Sequence, residues 1–214
     1  MAQAFVVAMV LVAIAEIGDK TQMLSLLLAS RYPPRRVFVG VLAAVVVLQA
    51  LATVAGGLVG SVVPGGLLAA LTALLFIGFG VWTLRDAGRT DDVDRPAVTG
   101  RGAVATVLAV AAAFFLAELG DKTQVLTFAV AADPAVVART LSGLGLGSVS
   151  PPSGTGAYVG VWLGSSAGMM LVNGVAIAAG AALGSRVSRR SIGRVSGVGF
   201  IVFGIGTAIA YILG

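Results

Sequence analysis

Residues 16–22 read Glu16-Ile17-Gly18-Asp19-Lys20-Thr21-Gln22, and residues 118–124 read Glu118-Leu119-Gly120-Asp121-Lys122-Thr123-Gln124. The two stretches differ only at Ile17 and Leu119 and stand 102 residues apart. Each lies well inside an apolar run. Four of the chain's nine acidic residues and both of its lysines, Lys20 and Lys122, are in these two stretches. A charge at membrane depth costs about 2.5–3.5 kcal/mol on insertion scales. Six such groups are a heavy load unless they pair with one another or with an ion.

The surroundings of the two stretches require lipid. The chain has 214 residues, 58% hydrophobic and 11% charged, with a mean hydropathy of +1.03. A soluble domain carries about 25% charged residues. Thirty glycines suit membrane helices, because small residues let their backbones approach closely. Cysteine and histidine are both absent, which excludes disulfides, thiolate metal sites and Cys or His nucleophiles. The net charge of +5 would suit nucleic acid, but the basic residues stand in loops between apolar runs. Loop arginines set membrane topology, so no nucleic-acid partner is expected.

Working outward from the motifs, six spans are predicted. Val37 to Leu84 is 48 residues without a charge, and one crossing takes about 20. Pro64-Gly65-Gly66 divides that run into spans at 37–63 and 67–84. Residues 4–30 precede them as the first span, and 103–131, 157–185 and 195–213 follow. The first is read as an uncleaved membrane helix, since no Lys or Arg precedes its apolar run. Every span should be a helix, because backbone polar groups cannot be left bare in lipid.

The halves match beyond the motif. At an offset of 124, Gly40, Gln49, Gly56, Gly60 and Ser61 fall on Gly164, Asn173, Gly180, Gly184 and Ser185. The expected architecture is all-α: six transmembrane helices as two inverted three-helix repeats, 1–84 and 103–214. A cytoplasmic linker at 85–102 joins them. A Gly/Ser/Pro-rich external loop near 133–156 accounts for the change of offset. Three spans per half is an odd number, so the second half must enter the membrane upside down. The loops after spans one, three and five carry eleven arginines, and the opposite side carries only Arg139. The arginine-rich loops are therefore expected in the cytoplasm and both termini outside.

Within each motif, Glu and Asp are three residues apart and are expected to share a helix face. An inverted repeat would oppose the two acidic faces near mid-membrane. Glu16, Asp19, Glu118 and Asp121 then offer up to eight oxygens, and Thr21, Gln22, Thr123 and Gln124 add neutral ones. Hard divalent cations take such ligands, six to eight for calcium and an octahedral set for magnesium or manganese. Gly18 and Gly120 leave room for close approach or an unwound turn. If all are ionised, four carboxylates and two ammonium groups sum to −2, which one divalent cation neutralises. Protons are the expected replacement when the cation leaves. Lys20 and Lys122 are expected to pair with the glutamates four residues before them in the empty state. Gln49 and Asn173 read as interhelical hydrogen-bond groups, and the glycines at 40, 56, 60, 164, 180 and 184 as packing positions. A single buried Glu-Asp-Lys cluster is as readily structural as functional. Two copies holding every intramembrane charge favour function.

With this doubled Glu-x-Gly-Asp-Lys-Thr-Gln motif in a six-span chain, the sequence resembles the second calcium/cation antiporter family. That family includes Golgi calcium and manganese transporters and bacterial manganese exporters. The resemblance covers essentially the whole chain. It implies that Glu16, Asp19, Glu118 and Asp121 bind the cation, with Thr21, Gln22, Thr123 and Gln124 beside them. It also implies export of Mn2+ or Ca2+ across the plasma (inner) membrane against proton entry, with no cofactor and no enzyme activity. The Gly/Ser/Pro-rich loop departs from the compact pattern but does not touch the motif. Three other readings compete: an exporter of small organic cations such as basic amino acids, an intramembrane aspartyl protease using Asp19 and Asp121, and a passive channel. An amino-acid site needs partners for the substrate carboxylate. A protease dyad shares a proton with no adjacent ammonium. A channel needs a continuous polar lining, whereas polarity here is confined to one level.

Overall fold

The computed structural model describes residues 1–17, 19–29, 32–64, 102–136, 138 and 154–183, with scattered positions between 66 and 85 and between 198 and 209. For Lys20, Met23 and Leu183 it describes the backbone alone. The described residues form helices and turns, with no strand among them. The helices are α1 (Ala2–Glu16), α2 (Lys20–Ala29), α3 (Pro34–Gly60), α4 (Ala103–Glu118), α5 (Lys122–Ala132) and α6 (Thr155–Leu183).

Two helices, α3 and α6, are long and apolar enough to cross a bilayer alone, and the bent pair α4 and α5 makes a third candidate crossing. At 1.5 Å per residue, the 27 residues of α3 reach about 40 Å, more than a hydrocarbon core of about 30 Å. Pro34 stands in its first turn, where a missing N–H costs nothing. At its other end Ser61 Oγ donates to the Leu58 carbonyl, 2.7 Å away. The chain turns off before Pro64, as the breaker predicts.

The helices are mostly apolar, and α3 and α1 each turn one stripe inward. On α3 the buried face runs Val37, Gly40, Val41, Ala44, Val45, Leu48, Gln49, Ala52, Thr53, Gly56, the i, i+3, i+4 spacing of one stripe. Its other face shows Phe38, Val39, Leu42, Val47, Leu51, Val54 and Leu58 to the outside, where lipid receives them. On α1 the inner face is Ala4, Ala8, Val12 and Ala15, and Val6, Val10 and Ile14 face out.

Glycines set how the helices lie. A Cβ on Gly40 would meet Val107 and Val110 of α4, and one on Gly56 would strike the Phe128 carbonyl oxygen of α5. Gly60 lies against Ala132. Hence α3 runs parallel to the α4–α5 pair. Likewise Gly160, Gly164, Gly168 and Gly180 of α6 lie against Met1, Phe5, Met9 and Leu26 in turn, so α6 runs parallel to α1–α2. Between themselves α3 and α6 are antiparallel. Gly57 sits by Tyr158, and Gly174 is near Phe38. Trp162 Nε1 also donates to the Val46 carbonyl at 3.0 Å.

One expectation fails. Residues 4–30 and 103–131 were each expected to be one continuous helix, and each is two. Both breaks fall within the motif, so Asp19 and Asp121 lie in turns and share no helix face with Glu16 and Glu118. The third and sixth spans, the linker at 85–102 and most of the loop at 133–156 lie largely outside the described residues.

The packing makes a direct expectation. Gly56→Ala and Gly180→Ala should each cost about 1–3 kcal/mol through overpacking and lower the melting temperature of the detergent-solubilised protein. Gly174→Ala, where a Cβ meets only an ordinary contact with Phe38, should leave it nearly unchanged.

Candidate metal centre

The two motifs close the same backbone hydrogen bond. Asp19 N–H donates to the Glu16 carbonyl at 3.1 Å, and Asp121 N–H donates to the Glu118 carbonyl at 3.0 Å. Ile17 N–H still reaches the Ala13 carbonyl at 3.1 Å and closes α1. In the second copy Gly120 has φ +81, a left-handed conformation that costs residues with a Cβ about 1–2 kcal/mol. The expectation of an unwound turn is met at Gly120; Gly18 lies outside the described residues. Gln124 Oε1 accepts from Gly120 N–H at 2.9 Å, which ties the turn to the first turn of α5. The axes of α4 and α5 meet at 73°.

Asp121 is the N-cap residue of α5, yet its side chain makes no capping hydrogen bond. Its Oδ2 is buried with no partner. The most favoured use of a carboxylate at that position is therefore left unmade, and the oxygen remains free for another charge.

The two copies converge. One carboxylate oxygen from each of Glu16, Asp19 and Glu118 lies within 4.8 Å of the others. Glu16 and Glu118 are fully buried. Asp121 is the one predicted carboxylate outside this trio. Thr21 Oγ1 donates to Glu16 Oε1 at 2.9 Å, and Thr123 Oγ1 approaches Glu118 Oε2 at 3.4 Å. The far oxygens, Glu16 Oε2 and Glu118 Oε1, are buried and unpartnered. Gln22 is half-buried on the first turn of α2.

The lysine pairing differs from expectation. Lys122 Nζ is 3.2 Å from Asp19 Oδ1, and both side chains are largely buried. The ammonium of one copy thus neutralises the aspartate of the other, in place of the glutamate four residues before it. Asp19 sits in the turn where Lys122 can reach it across the interface of the two copies. The side chain of Lys20 lies outside the described residues.

Two groups join the site that motif reading alone does not supply. Asn173 of α6 donates from Nδ2 to Glu16 Oε1 at 2.9 Å. Ser25 of α2 donates to Asn173 Oδ1 at 2.7 Å. Asn173 is an interhelical hydrogen-bond group, as expected, and its partner is the central carboxylate. Its repeat-matched position was the available signal, and Ser25 carried the same one, standing 102 residues before Thr127.

A buried cluster of hard oxygen donors from two repeated motifs, at membrane depth, suits a small multivalent cation. The sequence pattern of the family described as Divalent cation/proton antiporter GDT1 matches residues 4–91 and 153–212. The chain belongs to the GDT1 family. It is a family of transporters. GDT1-like protein 5 of Arabidopsis thaliana is 27% identical over 237 residues, covering 95% of this chain and 94% of that protein. Protein PAM71, chloroplastic, of the same plant is 32% identical over 226 residues, covering 93% of this chain and 55% of its own length. A Vibrio cholerae protein named, provisionally, a manganese exporter is 40% identical over 119 residues, covering 54% of this chain and 56% of that protein. No solved structure matches the chain.

In this GDT1 protein the Asp19–Lys122 pair should behave as a coupled unit. Asp19→Asn or Lys122→Gln alone strands a buried charge and should lower the melting temperature. The double variant should lose less than the sum of the two, with a coupling energy of about 0.5–3 kcal/mol in a thermal double-mutant cycle.

Proposed function

We propose that this protein exports manganese from the cytoplasm in exchange for protons, by alternating access between two inverted three-span repeats. The observation that carries the reading is the meeting of Glu16, Asp19 and Glu118 oxygens within 4.8 Å, contributed by both copies of the motif.

The inverted arrangement is supported by the helix directions. Since α6 follows α1–α2, α3 opposes α6, and α4–α5 follows α3, the second motif runs opposite to the first. The packing is also reciprocal in detail. Gly40 meets the Val107 carbonyl and Gly164 meets the Phe5 carbonyl; Gly56 meets that of Phe128 and Gly180 that of Leu26. The glycines differ by 124 and the carbonyls by 102, the two offsets of the sequence repeat. On this reading 1–84 and 103–214 are the repeats and 85–102 is the cytoplasmic linker. The arginine-rich loops face the cytoplasm, both termini are outside, and the membrane is the plasma (inner) membrane.

Glu16, Asp19, Glu118 and Asp121 are the proposed cation ligands. Thr21, Gln22, Thr123 and Gln124 support them, and Lys20 and Lys122 adjust the charge. The unpartnered oxygens of Glu16, Glu118 and Asp121 are the ones that turn to the ion. An arriving divalent cation offsets the excess negative charge, and protons replace it on release. The family's proton coupling supports this exchange, and the relative named as a manganese exporter supports the ion and the direction. Calcium is the second candidate, because the same oxygens accept it. The ammonium on Asp19 argues against a protease dyad, which needs a shared proton and no adjacent cation.

Flux into proteoliposomes under an imposed pH gradient tests the proposal. Wild type should move Mn2+ in a gradient-dependent manner, Ca2+ serving as the comparison ion, and Glu118→Gln, which removes a proposed ligand, should reduce the flux by more than the about 10- to 100-fold that loss of an outer-shell partner costs. Flux that ignores the gradient would remove proton exchange from the reading. Topology is read separately, since the chain has no cysteine and labels without background. Asp91→Cys should react with an impermeant maleimide from the cytoplasmic face, and Ser148→Cys from the outer face.

A further inference from the structure

The hydrogen bonds that Asn173 and Ser25 build onto Glu16 have a counterpart beside Glu118 that is present in residues and absent in bonds. Around Glu16, Asn173 gives its Nδ2 hydrogen to Oε1 at 2.9 Å and also lies 3.1 Å from the Met169 carbonyl. Ser25 holds the other end of the carboxamide at 2.7 Å. The repeat offsets map Asn173 onto Gln49, Ser25 onto Thr127 and Glu16 onto Glu118. All three counterparts are buried. Gln49 Oε1, Thr127 Oγ1 and Glu118 Oε1 have no hydrogen-bond partner. Gln49 Nε2 instead donates to the sulfur of Met169 at 3.3 Å, and a thioether is a weak acceptor.

Gln49 stands at the right level to reach Glu118. Along α3, Gly40 lies against Val107 and Val110, and Gly56 lies against Phe128 and Ala131. Gln49 falls between those two glycines, as Glu118 falls between Val110 and Phe128. Its chain is also one methylene longer than that of Asn173. Buried polar groups are nearly always satisfied, so three unpartnered atoms in matched positions mark an arrangement that another state completes.

We propose that Asn173 and Gln49 are alternating positioning residues of the transport site, each orienting the glutamate of one repeat in one access state. In the state described here Asn173, braced by Ser25, holds Glu16 so that Oε2 is left open to the ion. In the opposite state Gln49 leaves Met169, binds Glu118 and is braced by Thr127, while Asn173 lets Glu16 go. The network thus exchanges sides as access does, which is what an inverted repeat permits when its halves trade conformations. The inference rests on the inverted-repeat reading.

The test uses the full chain in proteoliposomes with two single-cysteine reporters, Leu28→Cys and Val130→Cys. These positions are repeat-matched, and each is 2% exposed, so each is labelled only when its own side opens. Modification of the two reporters from opposite faces of the membrane upholds the inverted repeat whatever the variants do. Modification from the same face overturns the repeat and this inference with it. Given opposite faces, Asn173→Ala and Gln49→Ala should shift the ratio of the two labelling rates in opposite directions. Each should also weaken Mn2+ binding, measured by calorimetry, by about 10- to 100-fold. Ser25→Ala and Thr127→Ala remove one hydroxyl each and should shift the ratio in the same opposed senses, which keeps the test in hand if an alanine variant at 49 or 173 does not fold. Asn173→Gln and Gln49→Asn, which keep the carboxamide, should restore part of the Mn2+ affinity. A purely structural role would shift the ratio in one direction or leave it unchanged in every variant, and either result overturns the proposal.

Discussion

The ion pair from Lys122 to Asp19, 3.2 Å long, is made between the two copies of the motif, and the remaining structure is arranged around that pairing. Charges in hydrocarbon must be neutralised locally or coordinated. Each copy brings two carboxylates and one ammonium, so each carries an excess of negative charge. Sharing a lysine across the interface fastens the copies to each other while leaving the excess in place. With Asp19 paired to Lys122, the carboxylates that meet it are Glu16 and Glu118, one oxygen of each within 4.8 Å of the others. On the proposed function, the surplus negative charge of the two motifs is what a divalent cation offsets.

The helix breaks follow from the same demand. A continuous helix would consume its backbone groups in its own ladder and would present Glu and Asp along one stripe. Stopping α1 at Glu16 and α4 at Glu118 puts each aspartate in a turn. From there Asp19 reaches into the other copy. The turn in the second motif depends on glycine at position 120, whose φ of +81 other residues adopt only with strain. Broken backbone at membrane depth is tolerated where protein encloses it. Here Leu119 and Gly120 are instead exposed among the described residues, and Gln124 Oε1 satisfies the Gly120 N–H; α3 and α6 pack on the helices that follow the breaks, so closely that Gly56 and Gly180 face carbonyl oxygens of α5 and α2.

Helix association in lipid gains little from hydrophobic burial, because the tails outside are as apolar as the core inside. Close packing and interhelical hydrogen bonds carry it. The inward glycines of α3, Gly40 and Gly56, which bring its backbone against α4 and α5, are that principle at work. The Trp162 to Val46 and Asn173 to Glu16 bonds are its polar part. Asn173 serves both purposes: it joins α6 to α1 and it orients a carboxylate.

Much of this was legible in the sequence. The apolar runs and their proline breaker located α3 and α6 to within a few residues, because a bilayer leaves helix as the available backbone solution. The doubled motif named the carboxylates, since no other intramembrane groups carry charge. The matched Gln49 and Asn173 were visible as a pair. What sequence periodicity misread was the backbone within the motif: it favoured an unbroken helix, because glycine and aspartate do not by themselves say whether a turn unwinds. The partner of Lys122 also lies 103 positions away in the chain, where no local spacing rule reaches. The sequence by itself determined the membrane setting, the helical class and the identity of the charged groups, because composition and hydrocarbon leave few alternatives. Only the tertiary structure decided which carboxylates meet, that Lys122 crosses to Asp19 and that Asn173 holds Glu16, because those contacts depend on how glycine faces let separate helices approach.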